Sequence, residues 1–165
     1  MRRSLLCALA ILALALPAAT AAGNGNGKAK GKGSGNGTVC VLHAKLSPKN
    51  ETTSSTSTAK GHTLIKVRRN GTIEYKTHIL NKAHETFMAG HIHQAPAGSP
   101  GPVVFPLFRG ASPTDARQIK DRGSVPAATP ADALFASQLC QNPSAYYVNY
   151  HTTANPGGAI RGQLG

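Results

Sequence analysis

The chain is poor in acid, with six Asp and Glu against 18 Lys and Arg in 165 residues. Glu51, Glu74 and Glu85 are scattered, so no paired carboxylates of the glycosidase kind are indicated. There is no Gly-x-Ser-x-Gly elbow, no phosphate-cradling glycine loop and no Cys-x-x-Cys, which removes the usual hydrolase, nucleotide-binding and dithiol signatures. No segment approaches the ~20 apolar residues that cross a bilayer as a helix. No internal repeat is present, and no interleaving of aromatic with basic residues marks a nucleic-acid groove.

The first 37 residues stand apart from the rest. Met1-Arg2-Arg3, the apolar run over 5–16 and Ala19-Thr20-Ala21 have the order of a secretory signal peptide, expected to occupy 1–21. Residues 22–37 contain no apolar side chain larger than alanine and cannot bury enough surface to offset ordering entropy, so they are expected to form a flexible Gly/Asn/Lys-rich tether. The domain is then 38–165, with 13 Lys and Arg against 6 Asp and Glu, a net charge of +7. A basic extracellular surface suits a protein ligand or an acidic polysaccharide, while a secreted address argues against a specific nucleic-acid partner. Beyond the leader only Cys40 and Cys140 remain. An even pair in an oxidising compartment is most simply a disulfide, and the competing reading makes one of them a metal ligand. Asn36, Asn50 and Asn70 each begin an Asn-x-Thr glycosylation pattern.

Hydropathy alternation places strands over 39–46, 63–69, 72–80, 87–93, 103–108, 146–151 and 159–164. Asn70-Gly71 between the second and third is a strong hairpin signal. In the third, Ile73, Tyr75, Thr77 and Ile79 share a face opposite Glu74, Lys76 and His78. The Ser/Thr-rich 47–61 reads as a loop, and 109–128 as irregular. Thr129-Pro130-Ala131-Asp132 has the cap, the proline and the early acid of a helix start, predicting a helix to about Gln141. Short strands, Gly/Pro turns and one short helix predict an all-β antiparallel sandwich.

Two blocks carry the chemistry. In Gly90-His91-Ile92-His93 the alternation of a strand points both imidazoles one way and Ile92 the other. Two neutral imidazoles on one face can share a zinc or copper ion, and His151 in Tyr147-Val148-Asn149-Tyr150-His151 is the leading third ligand. A purely structural reading keeps the same histidines as hydrogen-bond donors to loop carbonyls at one end of the sandwich. Arg161 is then either a clamp on carbonyls or on a carboxylate such as Asp132, or a cation positioned for an anion.

His91-Ile92-His93, Ala95-Pro96-Ala97-Gly98, Gly101-Pro102-Val103-Val104, the Tyr147 to His151 run, Asn155-Pro156-Gly157-Gly158 and Ile160-Arg161-Gly162-Gln163-Leu164 together resemble the CHRD domain, named from chordin and widespread in microbial secreted proteins. The resemblance implies an immunoglobulin-like or superoxide-dismutase-like sandwich and an adhesion or ligand-capture role. A more distant similarity links the order His91, His93, His151, Arg161 to the copper site of copper-zinc superoxide dismutases. It would imply a copper-only redox enzyme as the alternative to a binding module. No histidine lies between His93 and His151 to build a second metal subsite, so the expected site is mononuclear, with His78 or His84 as a fourth ligand.

Overall fold

The computed structural model describes residues 36–108 and 113–165; the segments expected to be a leader and, for the most part, a tether lie outside the described residues, as do 109–112. Two four-stranded antiparallel sheets form the domain. One has the order β1-β2-β3-β6, from β1 (Thr38–Leu46), β2 (Lys60–Arg68), β3 (Ile73–Leu80) and β6 (Gln118–Val125). The other has the order β5-β4-β7-β8, from β4 (Phe87–Gln94), β5 (Val103–Pro106), β7 (Tyr146–Thr152) and β8 (Ile160–Gln163). One helix, α1 (Pro130–Gln141), joins β6 to β7.

Inward rows from both sheets build the core. Leu46, Ile65 and Ile79 of the first sheet and Ile92, Val148 and Ile160 of the second are fully buried. Each such side chain is worth about 1.5–3 kcal/mol of transfer free energy, so the alternation fixes which face of each strand turns inward. The β2–β3 hairpin turns at Asn70-Gly71, where Gly71 takes a φ of 79° that a Cβ would strain. Its amide donates to the Arg68 carbonyl at 2.9 Å, and the Thr72 amide to Asn70 Oδ1 at 3.1 Å.

A polar bridge crosses the core. The Tyr150 hydroxyl of β7 donates to Asp121 Oδ2 of β6 at 2.7 Å and lies 2.8 Å from Thr77 Oγ1 of β3. Burial pushes the Asp121 carboxyl up, partly offset by the Tyr150 hydrogen bond, and the tyrosine is pushed up as well. Strand β6 corrects the irregular reading of 109–128. It pairs with β3 from Ile73↔Val125 to Leu80↔Gln118, and its inward row is Ile119, Asp121, Gly123. An acid and a glycine sit where alternation looks for apolar residues. The acid satisfies Tyr150, and the glycine leaves the room that the Tyr75 ring fills.

Helix α1 starts as the sequence predicts. Thr129 and Asp132 form a reciprocal capping box, Thr129 Oγ1 accepting from the Asp132 amide at 3.2 Å and Asp132 Oδ2 from the Thr129 amide at 2.9 Å. Asp132 is therefore a cap and not the partner of Arg161. A disulfide joins Cys40 on β1 to Cys140 near the helix end, with Cα atoms 5.8 Å apart across 100 residues of sequence. In the chain-entropy model a loop of ~100 residues is worth about 4.7 kcal/mol, so reduction should lower the denaturant midpoint substantially. Cys40 and Cys140 should resist alkylation until a reductant is added; ready alkylation of both in the native protein would contradict the bond.

Candidate metal centre

Strand β4 pairs with β7 through Ile92↔Val148, His91↔Asn149, His93↔Tyr147 and Ala89↔His151. Ile92 and Val148 face the core, so His91, His93, Tyr147, Asn149 and His151 all stand on the outer face of the second sheet. The histidines therefore do not lie at an end of the sandwich. They lie beside a polar layer made by residues 47–58 and the Pro/Gly-rich 95–101, with His93 buried and His91 and His151 half-buried.

The three imidazoles converge. One ligand atom from each of His91, His93 and His151 lies within 4.8 Å of the others, and His91 Nδ1 is 3.2 Å from His151 Nε2. Nitrogens bound at ~2.0–2.1 Å to a tetrahedral ion stand roughly 3.4 Å apart, so only a small inward movement separates this cluster from a coordination shell. Two carbonyls decide the tautomers. His93 Nδ1 lies 2.9 Å from the Gly101 carbonyl and His151 Nδ1 2.9 Å from the Pro156 carbonyl. A carbonyl only accepts, so both Nδ1 atoms carry the proton and both Nε2 atoms present lone pairs. His93 Nε2 is buried without a hydrogen-bond partner.

Arg161, on β8, is almost fully buried. Its Nη2 donates to the carbonyls of Ser99 at 2.8 Å and Pro96 at 3.2 Å, and its Cζ lies 3.4 Å from the centroid of the Tyr147 ring. That ring stacks on His93 at 4.8 Å. Arg161 thus holds the loop whose Gly101 carbonyl sets the His93 tautomer, and its charge adds to the lowering of His93. The 47–58 segment seals the layer from the other side. Ser47 and Arg161 exchange backbone hydrogen bonds, and Asn50 Nδ2 donates to the Arg161 carbonyl at 2.9 Å. With its amide committed there, a glycan on Asn50 would break the seal.

Glu51 is the residue that sequence reasoning missed. Counted above as a scattered carboxylate, it lies in this layer and accepts from Asn149 Nδ2 at 3.4 Å. Nothing in its local sequence signals this, because a loop from the other sheet carries it there. His78 and His84 are corrected as fourth ligands: among the described residues the metal-capable cluster holds His91, His93 and His151 alone. His78 makes an edge contact with His62 on the first sheet, and His84 Nδ1 lies 3.0 Å from the Asp115 carbonyl.

Burial, then the neighbouring His151 and His93, push His91 down to about 4, and burial also lowers His93 and His151. All three are neutral at pH 7. Burial pushes Glu51 up to about 7 against the opposing charge of Arg161 and the Asn149 hydrogen bond. The two effects act oppositely on metal-free stability. Between the ordinary histidine value of 6.5 and about 4, the unfolded chain binds protons that native His91 refuses, so stability falls as pH drops through that window. Between 4.5 and about 7 native Glu51 keeps a proton that the unfolded chain has lost, so its contribution falls as pH rises.

Glu51→Gln should make the metal-free stability rise more steeply from about pH 5 to 7 than in wild type; equal slopes in urea titrations would mean Glu51 is ionised. Truncating Arg161→Ala leaves two carbonyls without their donor and should cost on the order of 3 kcal/mol, where a loss under about 1 kcal/mol would show that it does not clamp the loop.

The model for the CHRD domain matches residues 42–164. No curated protein matches the chain. No solved structure matches it either, so the dismutase comparison rests on residue order alone. The matched span contains both sheets except the start of β1, together with the three histidines and the Arg161 loop, and over it the chain belongs to the CHRD domain family.

Proposed function

We propose that this CHRD domain is an extracellular binding module whose outer sheet face holds one copper or zinc ion through His91, His93 and His151. The observation that carries the reading is the convergence of three neutral imidazoles, two of them with lone pairs set by the Gly101 and Pro156 carbonyls. His93 Nε2, buried without a hydrogen-bond partner, is available to such an ion. Three neutral nitrogen donors suit zinc and copper alike. The ion would supply a Lewis-acidic centre with a coordination position open to an external ligand. The protein's own groups do the rest. Arg161 holds the 95–101 loop, Tyr147 keeps the His93 ring in plane, and the 47–58 segment limits water.

The disulfide is of the kind that persists in oxidising compartments, which supports the extracellular address together with the leader-like start of the chain. A binding module is favoured over a copper-only redox enzyme because Arg161 is spent on loop carbonyls instead of standing free to guide an anion. The partner met at the open position is a protein or glycan donor group.

The purified protein should retain about one equivalent of copper or zinc after dialysis, and the His91→Ala, His93→Ala double variant should retain none; equal retention would sink the assignment. Because burial keeps these imidazoles neutral below their ordinary value, retention should persist below about pH 6, where a solvent-exposed histidine site would already have released its ion.

A further inference from the structure

The outer face of the other sheet carries a different chemistry. The registers of β1, β2, β3 and β6 align Lys45, His62, His78 and Lys120 in one row directly across all four strands. The next row is His43, Leu64, Lys76 and Arg122. These side chains alternate with the buried Thr63, Thr77 and Asp121, so they face solvent. The carboxylate on this face, Glu74, is taken by Arg68 at 2.7 Å, and among the described residues no other ion pair forms.

Neighbouring strands are ~4.7–4.9 Å apart and same-face residues on one strand ~7 Å apart, so the cations form a flat grid instead of a groove. Like charges directly opposite each other in register are destabilising, and Lys76 faces Arg122 across β3 and β6. That repulsion disappears when a polyanion lies across the rows. A cleft of about 220 Å³ opens among His62, Lys76, His78, Lys120 and Arg122, and Asp121 also lines it, its carboxylate held by the Tyr150 hydroxyl at 2.7 Å.

We propose that this face binds a linear acidic polysaccharide, its carboxylates or sulfates laid along the basic rows. The strand spacing is close to one sugar unit of an extended glycan. Among the described residues no Phe, Tyr or Trp stands on this face, so beyond its imidazoles it offers no stacking platform for single-stranded bases. The face lies on the opposite side of the sandwich from the histidine cluster, and the assignment does not depend on a metal.

Binding of the full chain to polygalacturonate, to heparin and to single-stranded DNA, measured as a function of salt, tests it. One or both glycans should bind, at least about tenfold more tightly than DNA of similar charge, with carboxylate or sulfate preference read from the two glycan arms. Lys76→Ala, Lys120→Ala, Arg122→Ala should lower that affinity at least about tenfold and flatten the salt slope, with an unfolding midpoint no lower than that of wild type. Lys28→Ala, Lys30→Ala, Lys32→Ala in the N-terminal segment should bind within about twofold of wild type. Failure to bind either glycan at low salt, equal or tighter binding of DNA, or loss of binding on changing the N-terminal lysines would each overturn the proposal.

Discussion

The pairing of β4 with β7, Ile92 opposite Val148, is the constraint on which the rest of this structure depends. Both residues are fully buried, and a slip of one position would turn each strand inside out. The same register that closes the core sets His91, His93 and His151 on the far face and brings Tyr147 against His93. It also lines up Gly90 with Tyr150, whose ring fills the space a Cβ on Gly90 would need. The convergence of the histidines is thus a by-product of core packing, and no separate energy term is required to assemble them.

Polar groups are buried on both sides of that sheet, and each side satisfies them differently. In the core, the Tyr150 hydroxyl meets Asp121 and Thr77 and ties the sheets together at one point. Outside, a layer of irregular backbone lies over the strands, and a loop packed against a sheet leaves carbonyls that need donors. Arg161 supplies donors to Pro96 and Ser99, Gln163 to Ala95, Ser144 and Tyr146, and Asn50 to Lys45 and Arg161. The imidazoles of His93 and His151 are part of the same arrangement, each giving its Nδ1 proton to a loop carbonyl. Their Nε2 lone pairs point the other way, that of His93 without a partner and that of His151 3.2 Å from His91 Nδ1, and such donors are what a metal ion requires.

The two outer faces of the sandwich therefore differ for a structural reason. The second sheet is partly covered, so His91, His93 and His151 are desolvated and neutral at pH 7 beside the buried Arg161, and it presents a compact donor set. The first sheet is bare, so its outward lysines and arginines stay in solvent, and it presents an extended field. A helix of twelve residues touches the domain with few buried side chains of its own, Ala136 and Leu139, and is held by the Cys40–Cys140 disulfide and by Phe135, which packs against Phe105 and Tyr146.

The strand pattern, the Asn70-Gly71 turn, the capping box at Thr129 and the pairing of two remaining cysteines were legible in the chain because each is a local signal, decided by side-chain period, backbone freedom or compartment chemistry. His91 and His93 were legible as a pair for the same reason, since alternation alone puts i and i+2 on one face. Strand β6 was not, because its inward positions are an acid and a glycine that make sense only beside Tyr150 and Tyr75. Neither was Glu51, which reaches the histidine layer on a loop from the other sheet. The partners of Arg161 and the location of the histidines, beside a loop layer and not at a sandwich end, were likewise decided by tertiary structure. A sequence specifies which side of a strand a residue occupies. Only the folded chain brings to that side the carbonyls and loops that set its protonation, its exposure and its partner.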